Sequence, residues 1–284
     1  MANGRATIGL IRFRREDGNM TALINRKTHH IGGVEFRNPR KFQLLAVTVA
    51  NSAVEGWEPT DEQIRALADA YDHPQPELDA QLDRLRHWRV PVAKPAITDE
   101  QALAHTFLNP NGTLKNKLGI HDKADLDEHE FVQGSLVGLR MLQRGFKIAS
   151  VDDLCRINRA LFGDLYDWAG ELRNYNLTKQ QTLFLPPNVF DNGIRSVNAE
   201  ITALKRQSRP QTAAYAKLLD ELNYLHPFRE GNGRAIRILI ELLANEKGQY
   251  LYYDAEDDEF IQALYDSKVD VLTRKLHLTA LAIE

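Results

Sequence analysis

Apolar residues recur at spacings of three and four along most of the chain, which is the pattern of amphipathic helices. In the first such stretch, Phe42, Leu45 and Val49 share one helical face. Three short helices are predicted in this stretch: from about residue 40, from Thr60 to about Ala70, and from Glu77 to Trp88. Together, residues 41–90 form a small helical module whose apolar faces need the rest of the chain for their burial.

The same periodicity fills residues 98–284, with one interruption. Capping-box sequences predict three of the helix starts, at Thr98, Asp125 and Ser150. Between about Arg173 and Pro187, the pattern favours a short extended hairpin. Further helices are predicted over about 188–207, 211–225, 234–247 and 257–264, and a last one reaches towards the C-terminus. The predicted fold class is all-α with a short β-hairpin.

The first forty residues lack this periodicity. Two short strands are predicted there, near residues 6–13 and 20–24. His29-His30 raises the alternative of a metal site, but no further ligand stands at a useful spacing, so a solvated loop is favoured. The structure of residues 1–40 is therefore left open.

A boundary between two parts of the chain is predicted at residues 89–97, which contain Pro91 and Pro95. The predicted organisation has three parts. They are an N-terminal segment (1–40), the helical module (41–90) and a C-terminal domain (98–284).

Composition narrows the class of protein. The 284 residues are 43% hydrophobic and 26% charged, which is ordinary for a soluble globular protein. A formal charge of −3 gives no reason to expect direct nucleic-acid binding. Cys155 stands alone, so the chain cannot form an intramolecular disulfide. No segment resembles a signal peptide or a membrane span. We expect a cytoplasmic protein, or one delivered to another cell by a system that uses no cleaved signal.

The densest chemistry lies in His226-Pro-Phe-Arg-Glu-Gly-Asn-Gly-Arg234, followed three residues later by Arg237. Helical spacing begins directly after the glycines, so Gly231, Asn232 and Gly233 stand at a helix N-terminus. Backbone N–H groups at such an end bind anions, especially phosphate. Arg234 and Arg237 are three residues apart and can add two cations on one side of the helix. The stretch predicts a phosphate site.

Two side chains of the same stretch suit catalysis beside a phosphate. His226 has an ordinary pKa near neutrality and is the natural general base. Glu230 offers the hard carboxylate oxygen that Mg²⁺ prefers, and Mg²⁺ commonly bridges phosphates. These residues therefore predict a nucleotide site with a base and a metal ligand.

The stretch from His226 to Arg237 matches the complete signature of the Fic family, H-x-F-x-[D/E]-G-N-G-R-x-x-R. Three upstream segments also resemble Fic proteins: Leu114 to Ile120, Tyr166 to Gly170 with Arg173, and the hairpin from Lys179 to Phe184. The resemblance covers roughly residues 105–265. It implies the all-helical Fic fold with a β-hairpin flap over the active site.

The resemblance also implies an activity, the transfer of AMP from ATP to a Tyr, Thr or Ser hydroxyl of a target protein. His226 would take the hydroxyl proton, and Glu230 would hold Mg²⁺ on the phosphates. The anion hole would be lined by Gly231, Asn232 and Gly233. The β- and γ-phosphates would be held by Arg234 and Arg237.

The hairpin at residues 175–187 resembles the flap that aligns an extended target segment in Fic proteins, a form of strand addition. The partners implied are therefore an unidentified target protein and ATP. Lys179 on this flap is a candidate contact for the nucleotide or the target, with an ordinary exposed lysine as the alternative.

Residues Asn51-Ser-Ala-Val-Glu55-Gly56 resemble the inhibitory motif [S/T]-x-x-x-E-[G/N] of many Fic enzymes and their antitoxins. The resemblance implies that Glu55 pairs with Arg237 and prevents productive placement of ATP. Asn51 departs from the motif, which has Ser or Thr at this position, although its amide can still form hydrogen bonds. A plain helix end at Glu55-Gly56 is the structural alternative.

Two other functions stay open from the sequence. One is a Fic-fold transferase that moves another nucleotide or a phosphoryl group. The other is a non-catalytic module that binds nucleotide and regulates a partner. The presence of both His226 and Glu230 favours an enzyme, because a pure binding module needs neither a base nor a metal ligand.

Overall fold

The computed structural model describes residues 22–92, 94–179 and 182–283. Eleven helices and three small antiparallel sheets make up this part of the chain, so the predicted all-α class is confirmed. The helices are α1 (Pro39–Ala53), α2 (Asp61–Asp72), α3 (Pro76–Leu85), α4 (Glu100–Phe107), α5 (Lys123–Arg144), α6 (Val151–Phe162), α7 (Phe190–Arg206), α8 (Thr212–Leu225), α9 (Asn232–Asn245), α10 (Asp258–Asp266) and α11 (Val269–Lys275). None of these helices is both long enough and apolar enough to cross a bilayer.

Three very short strands precede α1: β1 (Ile24–Asn25), β2 (His30–Ile31) and β3 (Val34–Glu35). The loop expected at His29-His30 is found at His29, whereas His30 lies in β2. His29 has φ +53° in the turn before β2, and its ring stacks on Phe42 with centroids 4.7 Å apart. His30 pairs with Asn25 and Glu35 in the sheet. The strand predicted over residues 6–13 lies outside the described residues.

The first three helices begin where their local sequences predict. Thr60 caps α2 with both bonds of a capping box, since its Oγ1 accepts the Gln63 N–H and the Gln63 side chain accepts the Thr60 N–H. Asn38 caps α1 through the Lys41 N–H. These helices pack against α5, α6 and α9, and their buried side chains belong to the same hydrophobic core. Residues 41–90 therefore bury their apolar faces against the C-terminal domain.

Helix α5 starts earlier than the sequence indicated. Asp122, rather than Asp125, accepts the N–H groups of Ala124 and Asp125. At α6 the capping box at Ser150 and Asp153 forms as predicted. Asp is a favoured N-cap residue at either position, and the structure uses Asp122.

A strand follows α11, so the predicted helix towards the C-terminus is wrong beyond Lys275. Strand β6 (Gln249–Tyr252) pairs with β7 (His277–Ala280). The side chain of Gln43 on α1 reaches this edge, since its Nε2 donates to the Ala280 carbonyl at 3.1 Å and its Oε1 accepts the Ala282 N–H at 2.8 Å. The last strand and the first helix are therefore tied together.

The middle hairpin is present as β4 (Thr178–Lys179) and β5 (Thr182–Leu183), followed by a 3-10 turn at Pro187–Val189. Residues 180 and 181 lie outside the described residues. The hairpin stands before α7, as the change of pattern between residues 173 and 187 predicted.

One buried carboxyl group lies in the middle of α9. Glu241 is 2% exposed, and its Oε2 accepts the Leu251 N–H at 3.3 Å. Burial raises the pKa of Glu241 well above its ordinary value, although the Leu251 N–H and Arg40 oppose this shift. Glu241 is therefore protonated in the folded protein at pH values where it ionises in the unfolded chain.

We expect Glu241→Gln to remove a pH dependence of stability. A raised folded pKa means that the folded state binds more protons, so the free energy of unfolding of the wild type falls as pH rises above the unfolded pKa. Between the unfolded and the folded pKa of Glu241, each pH unit lowers the free energy of unfolding of the wild type by about 1.4 kcal/mol. The amide of Glu241→Gln does not titrate, so the variant avoids this loss. Urea unfolding of both proteins at pH 5 and pH 8 measures this difference. If wild type and variant differed in free energy of unfolding by the same amount at pH 5 and pH 8, the predicted titration of Glu241 would be contradicted.

Candidate active site

The loop between α8 and α9 is closed by one side chain. Asn232, the first residue of α9, accepts the Phe228 N–H at its Oδ1 and donates from Nδ2 to the Phe228 carbonyl, both at 2.9 Å. Phe228 is fully buried and anchors the loop in the core, as predicted. Because these bonds fold residues 226–232 back on themselves, the N-terminus of α9 faces a cleft.

Glycine is required at the start of this helix. Gly231 has φ +74°, and a Cβ at this position would overlap the ring of Phe162. The first turn of a helix leaves its N–H groups without intrahelical acceptors. Here Gly231 donates to the Oε1 of Glu230, while the first turn from Asn232 to Arg234 lines the cleft. The predicted phosphate cradle is thus a real helix N-terminus.

His226 lies at the end of α8 with φ +40°, a left-handed conformation that turns the chain. Its ring stacks on Phe184 with centroids 3.7 Å apart and a 10° angle between planes. Its Nδ1 lies 3.1 Å from the Asn223 carbonyl. A carbonyl only accepts hydrogen bonds, so Nδ1 is the donor in this contact, and in the neutral imidazole Nε2 is then the basic nitrogen.

Arg173 belongs to a segment that resembles Fic proteins, but no role could be predicted for it from the sequence. It is buried, and its Nε donates to the His226 carbonyl at 2.8 Å. Its Nη2 donates to the Leu185 carbonyl at 2.6 Å, and its backbone N–H donates to Pro227. Burial lowers the pKa of Arg173 to about 10, so it stays charged at neutral pH. Arg173 joins the base of the flap to the loop that carries the histidine.

Glu230 stands at the cleft with its side chain 41% exposed. Its Oε1 accepts the Gly231 N–H at 2.9 Å and lies 3.8 Å from the Nη2 of Arg234. Its Oε2 accepts no hydrogen bond from the described residues. A single accessible carboxylate oxygen fits Mg²⁺, which keeps most of its waters and takes its other ligands from phosphates.

Arg234 lies deeper than its neighbours on the motif. It is 6% exposed, and its Nη2 pairs with Glu130 of α5. Burial lowers the pKa of Arg234, but the carboxylates of Glu130, Glu230 and Glu55 raise it, and the net result is a pKa above the ordinary value. The guanidinium is therefore charged, and Glu130 is its nearest counter-ion. No signal in the sequence pointed to Glu130, which is 104 residues away.

Arg237 is bound by Asn51 near the end of α1 and by Glu55 in the turn that follows. Its Nε donates to Asn51 Oδ1 at 2.7 Å, and its Nη2 donates to the Asn51 carbonyl at 2.8 Å and to Glu55 Oε1 at 2.7 Å. Asn51 Nδ2 also donates to the Arg234 carbonyl at 3.0 Å. Asn51 thus contacts both motif arginines, and Glu55 lies where the sequence predicted it.

The Glu55 carboxylate covers the start of α9. A Cβ built on Gly233 would overlap Glu55 Oε1, so the carboxylate stands directly against the first turn of the helix. The Glu55 side chain is 27% exposed, whereas that of Arg237 is 7% exposed. The positive end of α9 already holds an anionic group that belongs to the chain itself.

The flap borders the same cleft. Leu177 and Thr178 line it from the β4 side, and Asn223, Leu264 and Tyr265 line the opposite end. Thr182 is joined to α10 by a bond from its Oγ1 to the Tyr265 carbonyl at 3.3 Å. The backbone of Lys179 pairs with Thr182, but its side chain lies outside the described part of the structure. Contact between Lys179 and a nucleotide stays a prediction.

Comparison with known proteins places these residues in a family. Residues 148–244 match the Fic/DOC family. The chain is 32% identical over 167 residues to protein adenylyltransferase VbhT of Bartonella schoenbuchensis, which covers 55% of this chain and 34% of that protein. It is 30% identical over 153 residues to the probable protein adenylyltransferase Fic of Salmonella typhimurium, which covers 51% of this chain and 74% of that protein. The match thus reaches only 34% of the first relative's length.

Solved structures share the fold. The crystal structure of BepC from Bartonella tribocorum with bound AMPPNP aligns with a TM-score of 0.53 and 19% identity, over 62% of this chain and 98% of that one. A Fic domain from Bartonella quintana with bound ADP gives a TM-score of 0.52 and 22% identity, over 61% of this chain and 95% of that one. The helical architecture is therefore that of Fic domains.

We expect Gly231→Ala to destabilise the protein by about 2–5 kcal/mol, because strain at positive φ adds to a clash with Phe162. Gly119→Ala is the matched control, since Gly119 has φ +68° and open space around its Cβ position. It should cost only about 1 kcal/mol. Urea unfolding measures both. Equal losses would show that the Phe162 contact contributes nothing.

Proposed function

Because the chain belongs to the Fic/DOC family, we propose that it is a protein adenylyltransferase, which transfers AMP from ATP to a Tyr, Thr or Ser hydroxyl of a target protein. One observation carries this proposal. A single cleft is lined by His226, Glu230 and the N-terminus of α9, so a base, a carboxylate and an anion site lie together. The curated relatives named above carry the adenylyltransferase name, and two structural neighbours hold ATP-like or ADP ligands.

In this proposal His226 takes the proton. The target hydroxyl oxygen attacks the α-phosphorus, a new O–P bond forms, and the bond to the bridging oxygen breaks to release pyrophosphate. Nε2 accepts the hydroxyl proton, because Nδ1 is occupied by the Asn223 carbonyl. The stacking on Phe184 and the Arg173 bond to its carbonyl hold the ring in place. A base of this kind contributes about 10²–10⁴-fold in rate.

The remaining groups bind charge. Glu230 would hold Mg²⁺, which would neutralise phosphate oxygens when bound. The N–H groups at Gly231, Asn232 and Gly233 would stabilise the charge that develops on the α-phosphate. Arg237 would bind the terminal phosphates once Glu55 has left it, since its guanidinium is already oriented by Asn51.

We further propose that Glu55 inhibits the enzyme. Its carboxylate takes a hydrogen bond from Arg237 and stands against Gly233, so it competes with phosphate for both the cation and the helix end. A charge-assisted bond with little water around it is strong. The covalent link to α1 gives Glu55 an effective concentration on the order of mM, so a modest intrinsic affinity is enough.

Asn51 would keep α1 docked while Glu55 moves. Its three bonds to Arg234 and Arg237 do not involve the Glu55 carboxylate. Ser52 adds a buried hydrogen bond to Ser135 on α5. Activation would therefore need only a rotation of the Glu55 side chain at the end of α1, rather than release of the helix.

The target would dock along the flap at residues 175–187 and present its hydroxyl to His226. Location in the cytoplasm, or delivery to another cell, stays a prediction.

We expect Glu55→Gly to tighten apparent ATP binding by about 5–150-fold, the usual size of a coupling between competing groups. AMP incorporation from α-labelled ATP, into the protein itself or into a lysate, should rise accordingly. Glu58→Gly is the matched control, because Glu58 is an exposed acid three residues further on. Equal labelling of the two variants would contradict inhibition by Glu55.

His226→Ala in the Glu55→Gly background should lower AMP incorporation by about 10²–10⁴-fold while ATP still binds. Parallel reactions with γ-labelled ATP separate AMP transfer from phosphoryl transfer. Label retained from the γ-position would identify a phosphotransferase, and binding of ATP without any transfer would identify a non-catalytic module. Either outcome would overturn the proposed activity.

A further inference from the structure

A buried acid pairs with Arg234. Glu130 of α5 is 6% exposed, and its Oε2 pairs with Arg234 Nη2. Its other oxygen, Oε1, accepts the hydroxyl of Tyr166, which is fully buried after α6. Both carboxylate oxygens are therefore occupied. The Glu130 side chain cannot rotate without breaking one of these two contacts.

Aromatic rings fix the guanidinium from other directions. The Arg234 guanidinium carbon lies 4.5 Å from the centre of the Phe162 ring and 5.4 Å from that of Phe131. Cation–π contacts of this kind favour one placement of a cation over an aromatic face. Tyr166 is itself held by stacking on Trp168, with centroids 4.4 Å apart. The support of Arg234 thus extends through two layers of side chains.

One nitrogen of the guanidinium lacks an acceptor. Arg234 Nη1 is buried and finds no hydrogen-bond partner among the described residues. A buried N–H left unpaired is costly, so an acceptor is expected there. Arg234 borders two spaces, the active-site cleft and a small cavity between α1, α5 and α9. The small cavity has about 10 Å³, the lower limit for one water, and the cleft is the larger of the two spaces.

We propose that Glu130 and Tyr166 are positioning residues, which hold Arg234 so that its remaining N–H groups bind a phosphate oxygen of the nucleotide. The proposal rests on the nucleotide site described under the proposed function. Glu130 takes one edge of the guanidinium and offsets its charge. Arg234 then acts as an oriented hydrogen-bond donor, and Arg237, which is freed when Glu55 leaves, supplies the uncompensated positive charge.

The test separates binding of phosphates from binding of the nucleoside. In the Glu55→Gly background, calorimetry measures the Kd of AMPPNP, and competition measures the Kd of adenosine, which has no phosphate. Glu130→Asp keeps the charge but withdraws the carboxylate by one carbon–carbon bond, about 1.5 Å. We expect the Kd of AMPPNP to rise about tenfold, with the Kd of adenosine unchanged. Tyr166→Phe, which keeps the ion pair, should raise the Kd of AMPPNP about threefold.

Tyr215→Phe is the matched control for general destabilisation. Tyr215 is also fully buried, and its hydroxyl donates to Gln249 at 2.8 Å. The Tyr215→Phe variant should lower the melting temperature much as Tyr166→Phe does, without changing the Kd of AMPPNP or of adenosine. Should Glu130→Asp fail to fold, the pair Tyr166→Phe and Tyr215→Phe decides alone. Equal weakening of AMPPNP and adenosine, or no weakening of AMPPNP, would overturn the positioning role.

The binding comparison needs no transfer reaction, so it is independent of the proposed activity. A protein that binds AMPPNP with the expected selectivity but transfers no AMP would retain the role of Glu130 and lose the adenylyltransferase assignment. A protein that transfers AMP with the same KM for ATP in all these variants would retain the activity and lose the role of Glu130.

Discussion

The site depends on the two hydrogen bonds between the Asn232 side chain and the backbone of Phe228. They close a loop of five residues and set the direction in which α9 begins. Every other functional group takes its place relative to that helix: His226 ends the preceding helix, Glu230 directly precedes it, and Arg237 stands one turn along it. Because the Asn232 side chain holds the loop, N–H groups at the start of α9 can face outward, which is the physical basis of an anion site.

The N-terminal helices are part of the same folded body. Leu44, Leu45 and Val49 on α1 are completely buried in the core that also contains α9. Gln43 joins α1 to the last strand, and His29 stacks on its first turn. The contact of Glu55 with Arg237 is therefore formed from the turn that directly follows a firmly packed helix. Packing holds α1, and a single ion pair reaches into the site.

Sequence reasoning succeeded where the deciding contacts are local. The capping boxes at Thr60 and Ser150 form within four residues, and the motif from His226 to Arg237 occupies one loop and one turn. It failed where partners are distant along the chain. Nothing near residue 277 indicates that this strand pairs with β6, and nothing near Glu130 indicates Arg234, because long-range partners depend on how the helices pack.

The contact between Glu55 and Arg237 also fixes an order of events during synthesis. Glu55 precedes Arg237 by 182 residues, and a ribosome releases the N-terminal part of a chain first. The acid is therefore complete before the loop that it covers has been translated. Every chain that has completed the cleft therefore already carries its own Glu55. The protein contains one Glu55 carboxylate for each cleft at any expression level. A carboxylate supplied by a separate protein would have to reach the site by diffusion and could be lost to proteolysis.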